Sequence, residues 1–168
     1  LMTFGRVGAC LAFLSSILLV AALPSTAAAH SDERGRYGEF SVRLVPWEVP
    51  GGGDRGGYGF ARLTLDEDEE RACYFIGWKE LEGHVTAAHL HFARHGHNGP
   101  HAIDFFNGEH FDGQRDGAFG CHRVRDDRHE RGMSAREKIR DIIENPEDFY
   151  VNIHTTKFKN GAIRGQLR

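Results

Sequence analysis

The chain has 168 residues, enough for one domain with a real hydrophobic core. Its 21 Lys and Arg stand against 24 Asp and Glu, a formal net charge of −3 with His neutral. The basic residues are scattered rather than striped, which leaves no electrostatic case for nucleic acid.

Residues 1–29 read as a signal peptide. Arg6 precedes an apolar run from Leu11 to Leu23, broken only by Ser15 and Ser16, and Pro24 is followed by Ser25-Thr26-Ala27-Ala28-Ala29. The run is short for a spanning helix, so cleavage after Ala29 is expected, with no stable membrane insertion afterwards. The destination would be secreted, periplasmic or cell surface. Residues 30–38 are then a flexible arm and residues 39–168 the domain. Cleavage there would leave His30 at the chain start, where amine and imidazole could chelate copper; such arms are usually mobile, and this reading is not favoured. Cys73 and Cys121 remain, and in an exported chain a pair is expected as a disulfide. Two thiolate metal ligands are the alternative, disfavoured by an oxidising compartment and by the lack of a CxxC spacing.

Along the domain, Phe40–Leu44 alternates and predicts a strand running on towards Val49. Pro50–Gly57 is a glycine-rich loop, and Tyr58–Leu65 a second strand. Asp66–Glu70 lacks the glycine-punctuated spacing of a calcium loop and reads as a solvated turn. Arg71–Trp78 is a third strand, and Leu81-Glu82-Gly83 turns into a fourth at His84. Ala102–Phe106 predicts a short strand, Asn107–Gly120 a long loop. Ser134-Ala135-Arg136-Glu137 matches a capping box, and Ile139, Ile142 and Ile143 follow at helical spacing until Pro146. Asp148–Thr156 and Gly161–Leu167 close the chain as strands. Seven or eight short strands with one short helix predict an all-β sandwich or barrel.

Six of the eleven histidines lie between His84 and His101. In the run from Val85 to Phe92, strict alternation puts His89 and His91 on one face with Val85 and Ala87. Leu90 and Phe92 take the core face. Tyr150–Thr155 repeats the pattern, with Val151 and Ile153 inward and Tyr150, Asn152 and His154 outward. If the two strands are neighbours, His89, His91 and His154 converge as a three-His site for a copper or zinc ion, with an open position. The competing reading is a set of solvated histidines hydrogen-bonded to groups such as Asn152 and Thr155. His95, His97 and His101 lie on or beside a loop and could add a ligand or make a second, weaker site; a solvated loop is the favoured reading, because flexible loops make poorly specified sites. His84, His110, His122 and His129 form no visible constellation. No Gly-x-Ser-x-Gly elbow, carboxylate pair or phosphate-cradling loop is present, so no catalytic residue is assigned.

Ala88-His89-Leu90-His91, then Gly96-x-Asn98-Gly99-Pro100, then Asn145–Thr155 through Gly161–Leu167, resemble the CHRD domain, named after chordin. Cys73-Tyr74 and Gly120-Cys121 look like pieces of its bacterial exported members, while the segment Arg123–Arg131 lies outside the pattern. The resemblance implies an immunoglobulin-like or superoxide-dismutase-like Greek-key sandwich or barrel. It also implies limited similarity to copper-zinc superoxide dismutases, whose copper is held by histidines on the outer face of the barrel. The dismutase bridging His and zinc-loop ligands are not found in order here. Three functions are therefore weighed: an exported protein binding copper or zinc through three histidines, a non-catalytic extracellular interaction or adhesion module with a protein partner, and a dismutase-like redox enzyme. An enzyme is the less favoured expectation.

Overall fold

The computed structural model describes residues 35–126 and 131–168. Residues 1–29, expected as a signal peptide, and His30 and His129 lie outside the described residues. Eight strands form two four-stranded antiparallel sheets. They are β1 (Tyr37–Leu44), β2 (Tyr58–Asp66), β3 (Arg71–Lys79), β4 (Val85–Phe92), β5 (His101–Phe111), β6 (Arg115–Arg123), β7 (Phe149–Thr155) and β8 (Ile163–Gln166). One sheet has the order β1-β2-β3-β6 and the other β5-β4-β7-β8. The pairings of β3 with β6 and of β4 with β7 each skip two strands, as Greek-key connections do. The predicted all-β sandwich with one helix is the fold observed.

Leu44, Leu63, Leu65, Ile76 and Trp78 from the first sheet meet Leu90, Phe149, Val151, Ile153 and Ile163 from the second. Each fully buried Leu or Ile contributes roughly 2 kcal/mol of transfer free energy. One side of the sandwich is sewn shut. Val45 and Arg164 exchange backbone hydrogen bonds of 2.8 and 3.1 Å. At Gly165 the two backbones meet so closely that a Cβ would lie 2.2 Å from the Arg43 carbonyl oxygen. The opposite side, between β5 and β6, is unpaired.

Helix α1 (Ala135–Glu144) has the predicted cap: the Ser134 hydroxyl accepts from the Glu137 N–H, and the Glu137 carboxylate accepts from the Ser134 N–H. It buries Ala135, Lys138, Ile139 and Ile142. Lys138 reaches across, its Nζ donating to the carbonyls of Ala102 and Arg125 at 3.0 and 3.1 Å.

Several sequence expectations need correcting. β1 opens at Tyr37, within the segment read as arm, and Gly35 and Arg36 donate their N–H groups to Asp68 and Glu67. The first strand stops at Leu44 because Pro46 starts a 3-10 turn over Pro46–Glu48. The acidic turn is not wholly solvated, since Glu67 is buried and held by the Arg140 guanidinium on α1. Asn107–Gly120 is no loop: it completes β5, turns at Asp112–Gln114 and builds most of β6. Gly117 and Gly120 disguised that strand, because glycine carries no alternation signal.

Cys73 and Cys121 face each other in register on β3 and β6 and form a disulfide. They are 48 residues apart in sequence, so the bridge restricts a large loop of the unfolded chain. Cys73→Ala/Cys121→Ala is expected to lower stability by about 2–4 kcal/mol, read as a shift in the urea midpoint. An unchanged midpoint would show that the bridge adds nothing.

Candidate metal centre

β4 lies at the centre of its sheet, between β5 and β7. Ala88 and Leu90 point into the core, and His89 and His91 to the outer face, as alternation predicts. Val85, expected beside the histidines, is a core residue; the register shift between Val85 and Ala87 reverses the facing. β7 sets Tyr150 opposite His91, Asn152 opposite His89 and His154 opposite Ala87. The strands carrying His89, His91 and His154 are thus neighbours. The rings of His89 and His154 are 5.0 Å apart by centroids, and those of His91 and His154 5.9 Å.

The fourth imidazole is His101, a possible additional ligand for which a solvated loop was the favoured expectation. It opens β5 directly opposite His91. Register shifts on β5 bring both His101 and Asp104 to the histidine side, although a three-residue spacing puts side chains on opposite faces of a regular strand. His101 stacks on His89 at 3.9 Å and meets His91 edge-on at 4.6 Å. The ligand nitrogens of His89, His91 and His101 all lie within 4.8 Å of one another, and this trio has the spacing one ion could bridge.

The outer face is not wet. His89 and His91 are 4% and 6% exposed. Segment 93–100 lies over them, held from below by a buried polar layer. Arg164 donates to the carbonyls of His97 and Arg94 at 2.6 and 3.2 Å, and Gln166 to that of Ala93 at 2.8 Å. The Arg164 guanidinium stacks 3.3 Å from the Tyr150 ring centroid, and the other face of that layer is the His91 ring, parallel to Tyr150 within 6°. His95 and His97 themselves are exposed on this loop, as expected, while His84 and His110 meet edge-on at 6.0 Å away from the cluster.

Hydrogen bonds set the tautomers. His91 Nδ1 faces the Gly99 carbonyl at 3.0 Å, and His154 Nδ1 faces the Lys159 carbonyl at 2.9 Å. A carbonyl only accepts, so both Nδ1 atoms carry the proton and both Nε2 atoms present lone pairs. His101 Nδ1 has Asp104 Oδ1 at 2.9 Å, the carboxylate–histidine arrangement that orients metal ligands. The Nε2 atoms of His89, His91 and His154 are buried without hydrogen-bond partners, as is His89 Nδ1. Such orphaned nitrogens are costly unless something occupies them. Asp104 and His101 also line a cleft of about 740 Å³ between β5 and β6, which gives the cluster an opening.

Burial drives the imidazoles towards the neutral form. It pushes His89 down to about 2 and His91 to about 4, with neighbouring imidazoles adding to the effect, and lowers His154 as well. The unfolded chain takes up these protons near pH 6.5, the folded metal-free chain only well below it. Stability of the metal-free protein is therefore full above about pH 6.5 and falls as pH drops towards 4, by up to about 1.4 kcal/mol per pH unit for each such histidine. Urea midpoints of chelator-treated protein at pH 7 and pH 5 test this; equal midpoints would mean that the imidazoles are not held neutral by burial.

The described fold and site define an antiparallel β-sandwich with four imidazoles gathered under a loop on one outer face. Among the described residues, no helix is long and apolar enough to cross a membrane. The chain belongs to the CHRD domain family, whose model matches residues 18–167. Together with the disulfide, this makes it an extracellular-type domain. No curated protein and no solved structure matches the chain.

Proposed function

We propose that this CHRD domain is an exported transition-metal-binding protein, taking copper or zinc at His89 and His91 with His101 and His154 beside them. The observation that carries this is the set of buried Nε2 atoms without partners on His89, His91 and His154, the last two in rings whose Nδ1 is anchored to a backbone carbonyl. Neutral imidazole nitrogen is the donor that copper and zinc share. The original three-His set is widened rather than replaced, because His101 approaches His89 more closely than His154 does. Among the described residues, Asp104 is the one acidic side chain hydrogen-bonded to a member of the cluster, which disfavours calcium and magnesium. A bound ion would act as a Lewis acid or, for copper, as a one-electron centre; the protein's part is to hold the buried rings of His89, His91 and His154 neutral, with His101 at the opening.

Elemental analysis with copper and zinc titration of the full chain tests the reading. One ion bound per chain, at sub-micromolar affinity and competed by acid, supports it. The absence of stoichiometric binding by either metal would remove it and leave the protein as an interaction module.

A further inference from the structure

The outer face of the other sheet, β1-β2-β3-β6, carries no covering loop among the described residues. Among the described residues, five of the six large exposed hydrophobic side chains stand on it: Tyr37 on β1, and, grouped together, Tyr58 and Phe60 on β2, Phe75 on β3 and Phe119 on β6, the last 81% exposed. Register explains the shape. Phe75 is opposite Phe119, and one row further on Gly77 is opposite Gly117. Two facing glycines leave bare backbone as the floor of a trough, and the rings form its walls. Its volume is about 740 Å³. Phe60 leans over Gly77, where a Cβ would meet its ring at 2.8 Å, so a side chain there would displace the wall. The Cys73–Cys121 disulfide lies one row from Phe75 and Phe119 and ties their two strands together.

Among the described residues, several cations around this trough stand without a carboxylate. Most arginines on the described surface have a carboxylate: Arg36 with Glu144, Arg71 with Glu69, Arg94 with Asp148, Arg123 with Glu70, Arg131 with Asp141, and Arg136 and Arg140 with Glu67 and Asp68. Arg43 faces Phe60 across β1 and β2, and Arg62 faces Phe75 across β2 and β3. Neither has a carboxylate partner among the described residues. Lys79 borders the trough with only the Tyr58 ring, 6.0 Å from its Nζ. The single carboxylate in the lining, Asp116, has its Oδ1 engaged by the Gly117 N–H.

We propose that this face binds an acidic polysaccharide. Aromatic rings present a negative face that attracts the polarised C–H groups on the flat side of a sugar ring. Three cations with no acidic partner would meet the carboxylates of a uronic-acid polymer, and Asp116 Oδ2 could accept a hydroxyl. Nucleic acid could also use rings and cations, but a disulfide-bonded extracellular-type domain shares its compartment with anionic glycans rather than with nucleic acid. The trough is in the sheet opposite to the histidines, so this inference stands or falls separately from metal binding.

The test is affinity electrophoresis and calorimetry of the full chain with polygalacturonate and alginate, with methyl-esterified polygalacturonate and single-stranded DNA as comparisons. The expected result is binding to an acidic polymer that weakens about tenfold or more in Phe75→Ala/Phe119→Ala, the equivalent of about 1.4 kcal/mol. It also weakens in Arg62→Gln/Lys79→Gln and on esterification of the polymer. All these changes are on the surface, and unchanged thermal midpoints confirm that the variants are folded. Three results would overturn the proposal: no binding to either acidic polymer, binding indifferent to the two phenylalanines, or single-stranded DNA bound more tightly than polysaccharide through the same residues. Loss of a dimer in Phe75→Ala/Phe119→Ala, without binding of polysaccharide by the parent protein, would assign the face to a second copy of the chain and equally overturn it.

Discussion

His89→Ala and His91→Ala each lower the affinity for copper or zinc by about a hundredfold or more, with little change in secondary structure. The magnitude follows from removing a ligand, since loss of an orienting partner alone typically costs ten- to a hundredfold. The other two imidazoles then separate two coordination sets. His101 offers a ligand nitrogen within 4.8 Å of one from each of His89 and His91, so His101→Ala is expected to fall in the severe class. His154 is further from His91 by ring centroid, yet its Nδ1 anchors to Lys159 and its Nε2 has no partner. His154→Ala is therefore expected to weaken binding without abolishing it. Isothermal titration of the four single variants, beside the His89→Ala/His91→Ala/His154→Ala triple variant, reads this order directly. A triple variant that binds as tightly as the parent protein would place any metal elsewhere.

Arg164→Met is the second large effect expected, and it acts without touching the imidazoles. Arg164 is fully buried, and burial holds its pKa below the ordinary arginine value. Its guanidinium fixes the carbonyls of Arg94 and His97, the side chain of Gln166 and the ring of Tyr150. Methionine keeps much of the volume but none of the donors. Stranding the two carbonyls costs about 1–3 kcal/mol each, and relief of a desolvated cation returns part of this. A net loss of about 2–3 kcal/mol is expected from urea unfolding. Because segment 93–100 also carries the Gly99 carbonyl that aims His91, metal affinity should drop together with stability. Hydrogen exchange at 94–99 that remains as slow as in the parent would show that Arg164 does not hold this loop.

The period-two pattern made much of this legible. His89, His91 and His154 occupy outward positions on adjacent strands, and the capping box at Ser134 and the disulfide partners are where the residue types indicated. What alternation could not show was each place where the strand is irregular. Val85 was put on the wrong face because of a register shift two residues later, and His101 stayed only a possible ligand because Gly99 and Pro100 made the whole segment look like loop. A bulged strand has no fixed period, so the facing of His101 and Asp104 exists only in the paired structure. The burial of the site was invisible for another reason. It comes from Arg164 and Gln166, two polar residues on a strand of four, which bind backbone carbonyls of a loop some 70 residues earlier in the chain. Carbonyls have no sequence signature.

Lys138 has a consequence beyond packing α1. Its ammonium bonds the Ala102 carbonyl on β5 and the Arg125 carbonyl just after β6, the two strands that end their sheets on the unsewn side. Such borders are templates on which a foreign strand can grow, and the first sheet is capped there by only one neighbour, β3. Through this one side chain the helix occupies a carbonyl beside each border. A Lys138→Met variant would return both carbonyls to the edges at once, and the consequence would be read as a greater tendency to aggregate at high protein concentration.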